Sequence, residues 1–411
     1  MKILHIIPSY LPAKLASGPI IPTHNLNKEL IKRGVEVVVY TANLDGQEIL
    51  NVPLNQEVNI DGVKVFYFPI TFKPWQYSFG LHRALAKNIK DFDLIHITSV
   101  FLSASALGAY YAKKFKKPYI ISPHGSLMSD PLSRHSLKKK IYLNLIEKKN
   151  LKNAAAIHFL INREKEDYLK AGLLLKKTIV IPNCFDLEES REISPNGLFR
   201  KKFGIGDNKK IVLFLARLHP IKGLDTLIPA FAEVIKKESR AVLVLAGPDE
   251  NGYKKEIIKM INDYNLTFFD FSLHQSALSP RRPASCIFTG MLIGEKKVAA
   301  FRESNVFVLP SYTEALPMAT IEAMYFGLPV VITEGVGISP NIDRAEAGLV
   351  INKDEKQLVE AILKILENPR LGKEMGQKGR ELVETEFSSE KVAGKWIEEY
   401  NKIIKNYKKD E

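Results

Sequence analysis

The stretch Val306-Phe-Val-Leu-Pro-Ser-Tyr-Thr-Glu-Ala-Leu-Pro-Met-Ala-Thr-Ile-Glu-Ala-Met-Tyr-Phe-Gly-Leu-Pro-Val-Val-Ile-Thr333 decides the fold. It begins and ends with a short apolar run, and the two runs are separated by the length of one helix. This is the pattern of two parallel β-strands joined by a crossover helix. Pro317 suits the first helical turn, and Gly327 suits the position just past the last turn. The stretch therefore predicts a parallel α/β sheet.

Two glutamates within this unit stand out. Glu314 lies in the loop before the predicted helix, and Glu322 is the only charged residue between Ala315 and Phe326. A lone carboxylate in an apolar helix is costly to bury unless a partner hydrogen-bonds it. The residues alone leave two interpretations of Glu322 open, a ligand-binding carboxylate and a partly exposed, locally capped one.

Composition predicts a two-domain protein. The 411 residues, 45% of them hydrophobic, give room for two domains of about 200 residues each. No run of 18 apolar residues indicates a membrane-spanning helix. The apolar start is too short for a signal peptide, and Cys184 and Cys286 have no metal-ligand spacing. We therefore expect a reducing, cytoplasmic location, with peripheral attachment to the inner face of the membrane as an option.

Positive charge is concentrated in the first half of the chain. The net charge is +13, and residues 1–200 hold 28 Lys and Arg against 17 Asp and Glu. Residues 113–152 alone hold 11 basic and 2 acidic residues. Such a surface attracts phosphates, whether in lipid headgroups, nucleic acid or anionic glycans.

Strands alternate with helices along both halves, which predicts doubly wound parallel sheets. We assign residues 1–187 to the first domain, 188–207 to a linker and 208–388 to the second domain. A final amphipathic helix, about 389–411, follows them. The predicted strands are Ile3–Ile7, Val35–Tyr40, Val63–Phe68, Leu94–Ile97, Tyr119–Ser122, Ala155–Phe159, Thr178–Ile181, Ile211–Ala216, Ala241–Ala246, Cys286–Thr289, Val306–Pro310 and Pro329–Thr333.

Two cations follow the strand Ile211–Ala216. Arg217 falls at its carboxyl end, and Lys222-Gly223 opens the next helix. Ligands of open α/β sheets bind outside the carboxyl ends of the strands, where such cations can neutralise a diphosphate. Two solvated surface cations would give the same pattern, so the residues alone leave both interpretations open.

Other candidates carry weaker signals. His124-Gly125 follows the strand Tyr119–Ser122, and Gly18 lies in the loop after the first strand. Asp91-Phe-Asp93 looks like a metal-binding Asp-x-Asp, but it leads directly into a strand and has no third ligand nearby. Gly335-Val-Gly337 is interpreted as a turn, since no helix follows at dinucleotide-binding spacing.

Taken together, these motifs resemble the family 4 retaining glycosyltransferases. The resemblance rests on Glu-x7-Glu after the strand Val306–Pro310, on Arg217 and Lys222 about 90 residues earlier, and on the His124-Gly125 turn. It implies the GT-B architecture, in which two Rossmann-like domains face each other across a cleft. It also implies that the final helix crosses back onto the first domain.

The resemblance further implies roles for individual residues. Arg217 and Lys222 would hold the donor diphosphate and stabilise the departing charge. Glu314 would bind the hydroxyls of the donor sugar, Glu322 the ribose, and His124 would lie by the anomeric carbon. The remaining donor-binding residues would be Gly18, Leu316 and Met318. No cofactor and no metal ion are expected, because Arg217, Lys222 and helix N-termini would take the metal's place.

Three segments depart from the family's pattern. Gly18-Pro19 replaces a Gly-rich pair, and Pro19 has no N–H to offer a phosphate. Ala315-Leu-Pro-Met318 replaces a glycine-containing run. Phe269–Ser285 is longer than the usual connection and is predicted to be a loop on the nucleotide side.

The implied function is transfer of a hexose-type sugar from a nucleotide-diphosphate sugar to a glycan or lipid-linked acceptor, in cell-surface polysaccharide, lipopolysaccharide or glycolipid synthesis. The amphipathic segment Lys138–Leu151 is either an ordinary packed helix or, with residues 113–152, an attachment to anionic membrane. Nucleic acid is not expected, because no recognition motif is present. Two alternatives stay open, another GT-B enzyme such as a nucleotide-sugar epimerase and a non-catalytic basic protein that binds membranes or anions.

Overall fold

The computed structural model describes residues 1–13, 18–128, 141–170, 172–173, 177–188, 197–273 and 284–409. The chain divides into two compact units. The first comprises Met1–Phe185 together with Ser388–Glu411, and the second comprises Asp186–Phe387. The first unit is therefore built from both ends of the chain.

The first unit contains an eight-stranded sheet in the order β10-β9-β8-β7-β1-β2-β6-β5. Every neighbouring pair is parallel except β5 with β6. A short antiparallel pair, β3 with β4, lies outside this sheet. The strands are β1 Lys2–Ile6, β2 Glu36–Ala42, β3 Leu44–Asp45, β4 Glu48–Ile49, β5 Glu57–Ile60, β6 Val63–Phe68, β7 Leu94–Thr98, β8 Tyr119–Ser122, β9 Ala156–Phe159 and β10 Thr178–Val180.

Helices cover both faces of this sheet. Neighbouring residues of β1 point to opposite faces, so Ile3 and Leu4 belong to different apolar clusters. The cluster around Ile3 includes Trp396 and Tyr400 of the final helix. The described helices of this unit are Ile20–Lys32, Phe79–Asn88, Ser103–Lys114, Lys148–Asn153, Asn162–Lys170 and Ser389–Lys409, with a π-helical turn at Leu143–Glu147.

The second unit contains a seven-stranded, fully parallel sheet in the order β13-β14-β12-β11-β15-β16-β17. Its central strands are buried along almost their whole length, which explains their unbroken runs of Val, Ile, Leu and Phe. The strands are β11 Lys210–Leu215, β12 Ala241–Ala246, β13 Phe268–Asp270, β14 Cys286–Gly290, β15 Val306–Leu309, β16 Val330–Thr333 and β17 Gly348–Ile351.

The helices of the second unit alternate with its strands as predicted for a doubly wound sheet. Pro317 lies immediately before the helix Met318–Tyr325 rather than inside its first turn. The helices are Leu198–Phe203, Leu224–Lys237, Lys254–Asp263, Glu295–Glu303, Met318–Tyr325, Ser339–Ala345, Glu355–Glu367 and Pro369–Leu382, with a π-helical turn at Val383–Phe387.

Two sequence-based assignments are partly wrong. Leu198–Phe203, placed in the linker, is a helix whose first N–H groups donate to the Glu303 carboxylate, so it belongs to the second unit. Phe268–Asp270, at the start of the segment predicted to be a loop, forms the edge strand β13. Both segments are short, and short elements held by tertiary contacts leave a weak sequence pattern. Residues 189–196 and 274–283 lie outside the described residues.

Candidate functional site

The central strands of the second sheet define a switch point. From β11 the chain runs outward through β12 to one edge, then returns to β15 on the other side of β11 and runs outward again. The loops after β11 and β15 therefore leave the sheet side by side. Open α/β sheets bind ligands at the carboxyl ends of the strands at such a point. Arg217 and Lys222 follow β11, and Glu314 follows β15.

Arg217 is held by a neighbouring carboxylate. Its Nη1 donates to both oxygens of Glu250 at 2.6 Å, and half of its side chain remains exposed. Close backbone approach fixes the segment, because a Cβ on Gly247 would lie 1.8 Å from the carbonyl oxygen of Ala216. The loops after β11 and β12 are further joined by the Leu218 N–H, which donates to the Pro248 oxygen at 2.9 Å.

Lys222 ends a 3₁₀ turn, Pro220–Lys222, that leads into the helix Leu224–Lys237. The His219 ring accepts from the Ile221 N–H at 3.1 Å and caps this turn. Lys222 is buried, and its ammonium pairs with the carboxylate of Glu314. Burial, together with the positive charge of Arg217, lowers the pKa of Lys222 to about 7. A lysine in this state gains charge when an anion arrives.

The loop that carries Glu314 is fixed to its neighbours by backbone hydrogen bonds. The Glu314 N–H donates to Gly335 O at 3.1 Å, and the Gly337 N–H donates to Glu314 O at 2.9 Å. The Tyr312 N–H donates to Ile221 O at 2.9 Å, which joins this loop to the turn bearing Lys222. The turn predicted at Gly335–Gly337 thus supports Glu314 directly.

Glu322 lies inside the helix Met318–Tyr325, as predicted, and is not left without a partner. Lys297, near the start of the helix Glu295–Glu303, contacts its two carboxylate oxygens at 2.7 and 2.6 Å. Both side chains are partly exposed. The pair satisfies Glu322 in the free protein and leaves room for a hydroxyl ligand on the remaining lone pairs.

Three ion pairs thus lie in the loops and helices that follow the strands of this sheet: Arg217–Glu250, Lys222–Glu314 and Lys297–Glu322. Leu316 and Met318, the other two donor-binding residues predicted in the second unit, differ in exposure. Leu316 is buried, so it can offer a ligand only backbone groups, whereas Met318 is half-buried at the start of its helix. The arrangement offers cations for a diphosphate and carboxylates for hydroxyl groups.

The first sheet has its own switch point, between β1 and β7. A cavity of about 220 Å³ lies there, and the described residues that line it carry no charge. Its lining residues are Ile7, Pro8, Ser9, Pro19, Ile20, Leu44, Gly46, Gln76, Ser99 and Leu102.

Gly18 is exposed beside Pro19, and a Cβ on it would meet no atom within 4 Å. The structure therefore shows no steric need for glycine there. Residues 14–17 of the same loop lie outside the described residues.

His124 follows β8 in a left-handed turn, with φ of +50° at His124 and +78° at Gly125. The buried carboxylate of Glu164 fixes this turn, because it accepts from the N–H groups of Gly125 at 2.5 Å and Leu160 at 2.8 Å. Burial, with His158 and His5 nearby, lowers the pKa of His124 to about 3, so the ring is neutral. A neutral imidazole can accept a proton or orient a hydroxyl.

A chain of buried side chains runs beside His124. Because Ile181 O can only accept, His158 Nε2–H donates to it at 2.7 Å, and Ser122 Oγ–H then donates to His158 Nδ1 at 2.8 Å. His96 Nε2–H donates to Ser122 Oγ at 2.7 Å, and Tyr400 O–H donates to His96 Nδ1 at 2.7 Å. His96 thus has a structural role, since both of its ring nitrogens are hydrogen-bonded inside this chain of side chains. The chain links the final helix to β7, β8 and β9.

Sequence reasoning missed several residues of these arrangements. Glu250 and Lys297 follow β12 and β14, so the strand-end rule that selected Arg217 could have found them as well. Glu164 carried no signal, because it lies in a helix crowded with charged residues. Its role appears only in three dimensions.

Other predicted features have plain structural explanations. Asp93 accepts the Lys2 N–H at 2.8 Å, which ties β1 to the start of β7. Within the described ranges, no group of three His, Cys, Asp or Glu side chains could hold a metal ion. The same ranges contain no helix that is long and apolar enough to cross a membrane.

Two sequence families cover most of the chain. Residues 196–382 match the family described as Glycosyl transferases group 1, and residues 23–189 match Glycosyltransferase Family 4. N-acetyl-alpha-D-glucosaminyl L-malate synthase of Bacillus anthracis is 23% identical over 93% of each chain. Alpha-monoglucosyldiacylglycerol synthase of Streptococcus pneumoniae is 25% identical over 80% of this chain and 70% of its own.

Solved structures agree on the fold. The Anabaena protein HepE, solved in complex with UDP and glucose, superposes with a TM-score of 0.73. The match covers 98% of this chain and all of HepE at 18% identity, so it bears on the fold. The predicted fold class, GT-B with two Rossmann-like domains, and the predicted family are both confirmed. The chain belongs to the family 4 glycosyltransferases of GT-B fold.

Proposed function

We propose that the chain transfers a sugar, with retention of anomeric configuration and without a metal ion, from a nucleotide-diphosphate sugar to a glycan or lipid-linked acceptor. The observation that carries the proposal is the set of cations and carboxylates around the β11–β15 switch point. Arg217 and the buried Lys222 supply positive charge, and Glu314 and Glu322 supply hydrogen-bond acceptors. We therefore assign donor binding to the second unit.

In the proposed reaction, the bond between the anomeric carbon and the diphosphate oxygen breaks, and a bond from the same carbon to an acceptor hydroxyl oxygen forms. The hydroxyl proton passes to the departing diphosphate or to solvent. The leaving group gains negative charge, which Lys222 and Arg217 stabilise after releasing Glu314 and Glu250. Glu314 then becomes free to accept from the hydroxyls of the sugar, and Glu322 binds the ribose.

We assign the acceptor to the first unit. Its 220 Å³ cavity lies at the switch point between β1 and β7, and the described residues that line it are uncharged, which suits an uncharged polar group. The proposed role of His124, by the anomeric carbon, rests on the family resemblance. HepE was solved with UDP-glucose and the pneumococcal relative is named for a diacylglycerol product, so UDP-sugars and lipid acceptors are the first substrates to try.

Product analysis tests the proposal. Purified protein is incubated with UDP-, GDP-, ADP- and dTDP-sugars, with and without lipid extract, and free nucleotide and glycosylated product are measured. We expect the release of nucleoside diphosphate to require an acceptor. The new linkage should have the same anomeric configuration as the donor. The transfer rate should fall by about 10²-fold or more in Lys222→Met. Lys236→Met, on the exposed face of the helix Leu224–Lys237, is the matched control.

Other outcomes separate the alternatives. Nucleotide release without acceptor, together with an inverted sugar centre, would identify an epimerase. Binding of anionic vesicles with no turnover of any donor would identify a non-catalytic basic protein. Equal activity of Lys222→Met and Lys236→Met would show that the reaction does not use this part of the sheet.

A further inference from the structure

A hairpin in the first unit presents aromatic side chains to solvent. Phe72 and Tyr77 exchange backbone hydrogen bonds at 3.1 Å in each direction, so the turn between them is closed. Trp75 lies in this turn and is 60% exposed, and Phe72 is 52% exposed. Large aromatic side chains that stay exposed to solvent at a closed turn form an apolar patch, and such patches mark interaction sites.

The aromatic surface continues onto two helices packed beside the hairpin. Phe79 and Tyr110, on the helices Phe79–Asn88 and Ser103–Lys114, are 47% and 57% exposed. Ring contacts connect them through His82 and Tyr111, with centroid distances of 6.2, 5.4 and 5.0 Å. We call Phe72, Trp75, Phe79 and Tyr110 the aromatic surface.

Cations lie in the same segments as the aromatic surface. The Arg83 guanidinium lies 4.4 Å from the Phe79 ring centre, and the Lys114 ammonium lies 5.9 Å from the Tyr111 ring centre. Residues 71–90 and 103–117 carry Lys and Arg but no Asp or Glu. The cations in these two segments are Lys73, Arg83, Lys87, Lys90, Lys113, Lys114, Lys116 and Lys117. Tryptophan and tyrosine with lysine beside them match the boundary between lipid headgroups and acyl chains.

The same hairpin borders the cavity between β1 and β7, whose described lining residues are uncharged. Gln76, next to Trp75, lines the cavity, and its carbonyl oxygen accepts from Ser103 Oγ at 2.7 Å. A bilayer that received Trp75 would therefore contact the hairpin whose next residue lines the cavity. The segment Lys138–Leu151, for which membrane attachment was one of two interpretations, lies next to this region in its described part. Leu145 is 71% exposed, and the Tyr142 ring contacts Phe101, the neighbour of the cavity-lining Leu102.

We propose that the aromatic surface inserts into the interface of an anionic phospholipid bilayer, with the surrounding lysines on the headgroups. The proposal deepens the proposed function, because it makes the acceptor a lipid-linked molecule whose uncharged head group enters the cavity from the bilayer. Membrane binding itself needs neither donor nor acceptor, so its failure and a failure of transferase activity are separate results.

Tryptophan fluorescence offers a direct test, because the two tryptophans differ in exposure. Trp75 is 60% exposed and Trp396 is 1% exposed. The full-length protein is titrated with phosphatidylglycerol–phosphatidylcholine vesicles that carry brominated acyl chains, and with pure phosphatidylcholine vesicles. We expect quenching with the anionic vesicles only. Trp75→Phe, which leaves Trp396 as the emitter, should show none while still sedimenting with the vesicles.

Paired variants test the two components of the surface. Lys113→Ala with Lys114→Ala should weaken vesicle binding about 25-fold, from about fivefold for each lysine near an anionic surface. Phe72→Ser with Trp75→Ser should weaken it about tenfold or more. The controls are Lys255→Ala with Lys259→Ala, and Tyr264→Ser, which are exposed residues of the second unit. Binding that is equal in all variants would overturn the proposal. So would Trp75 quenching by a soluble glycan but not by vesicles.

Discussion

At Lys222, burial and the Arg217 charge oppose the ammonium form, while the Glu250 charge favours it. The resulting pKa of about 7 is well below the usual value for lysine, so much of the free protein carries a neutral Lys222 above pH 7. A bound diphosphate would favour the charged form and raise this pKa. We therefore predict that donor binding takes up close to one proton at pH 8.5, and that affinity falls as pH rises above 7.

Calorimetric titration in two buffers of different ionisation enthalpy measures this proton. Lys222→Arg is the matched variant, because a guanidinium stays charged at these pH values and should bind donor without proton uptake. If wild-type protein and Lys222→Arg took up the same number of protons, Lys222 would not be the group that meets the diphosphate.

Glu322 provides a second prediction at this scale. Glu322→Gln removes the charge that pairs with Lys297 and one acceptor for a ribose hydroxyl. We expect donor affinity to fall by about tenfold, as for loss of one charged hydrogen bond, with little change in thermal stability. Glu360→Gln, on the exposed face of the helix Glu355–Glu367, is the control. A stability loss without an affinity loss would assign Glu322 a purely structural role.

The roles predicted for single residues of the site stay predictions, although their places after strands can be compared with the structure. Arg217, Lys222 and Glu314 could be selected because each follows a recognisable strand. The same rule also selects Glu250 and Lys297, but nothing in the sequence shows that Glu250 pairs with Arg217 or that Lys297 pairs with Glu322. The departure at Gly18 also stays without a structural explanation, because no atom crowds that position.

At the scale of elements, close approach of loops holds the donor region together. A Cβ on Gly223, where φ is +73°, would lie 1.9 Å from Pro310 O. We predict that Gly223→Ala lowers the free energy of unfolding by roughly 3 kcal/mol or more and abolishes donor binding. Gly252→Ala has a similar φ of +77° but no atom within 4 Å, so it should cost only about 1 kcal/mol. If urea unfolding showed the same loss of free energy of unfolding in Gly223→Ala and Gly252→Ala, this account would be contradicted.

The histidines on β1 and β9 predict a pH-dependent stability. Burial lowers the pKa of His5 and of His158 to about 4, below the unfolded value near 6.5. Below pH 6.5 these two histidines therefore bind protons in the unfolded chain but stay neutral in the folded chain. The stabilisation is complete above pH 6.5 and is lost as pH falls toward 4, by up to roughly 3 kcal/mol for each histidine.

Urea unfolding across pH 4 to 7 checks this expectation. In His158→Gln the free energy of unfolding should depend less steeply on pH, because one of the two titrating histidines is absent. A free energy of unfolding that stays constant from pH 7 to pH 4 would show that the histidines titrate alike in the folded and unfolded chains.

Elements with strong periodicity were predicted well, and short ones were not. Strands β6, β8 and β12 were predicted with their observed bounds, and the predictions for β11, β14 and β15 differ by one residue at one or both ends. Strands β13 and β17 at the edges of the second sheet and the helix Leu198–Phe203 were missed. Edge strands are half-covered and short, so their residue patterns resemble those of loops.

At the scale of the whole molecule, the fold follows from sequence pattern and family resemblance together. Alternating strands and helices give two doubly wound sheets, but pattern alone does not show that the last helix joins the first unit. Trp396 and Tyr400 complete an apolar cluster with Ile3 and Ile120, residues nearly 400 and 280 positions away along the chain. Contacts this distant in sequence leave no local signal.

The central claim is that the second unit binds a nucleotide-diphosphate sugar at the β11–β15 switch point. The most direct test is a thermal-shift panel of UDP-, GDP-, ADP- and dTDP-linked sugars on wild-type protein and Arg217→Ala. We predict that one nucleotide class raises the melting temperature, as binding to the folded state requires, and that the shift is lost in Arg217→Ala. No stabilisation by any donor, or the same shift in both proteins, would contradict the claim.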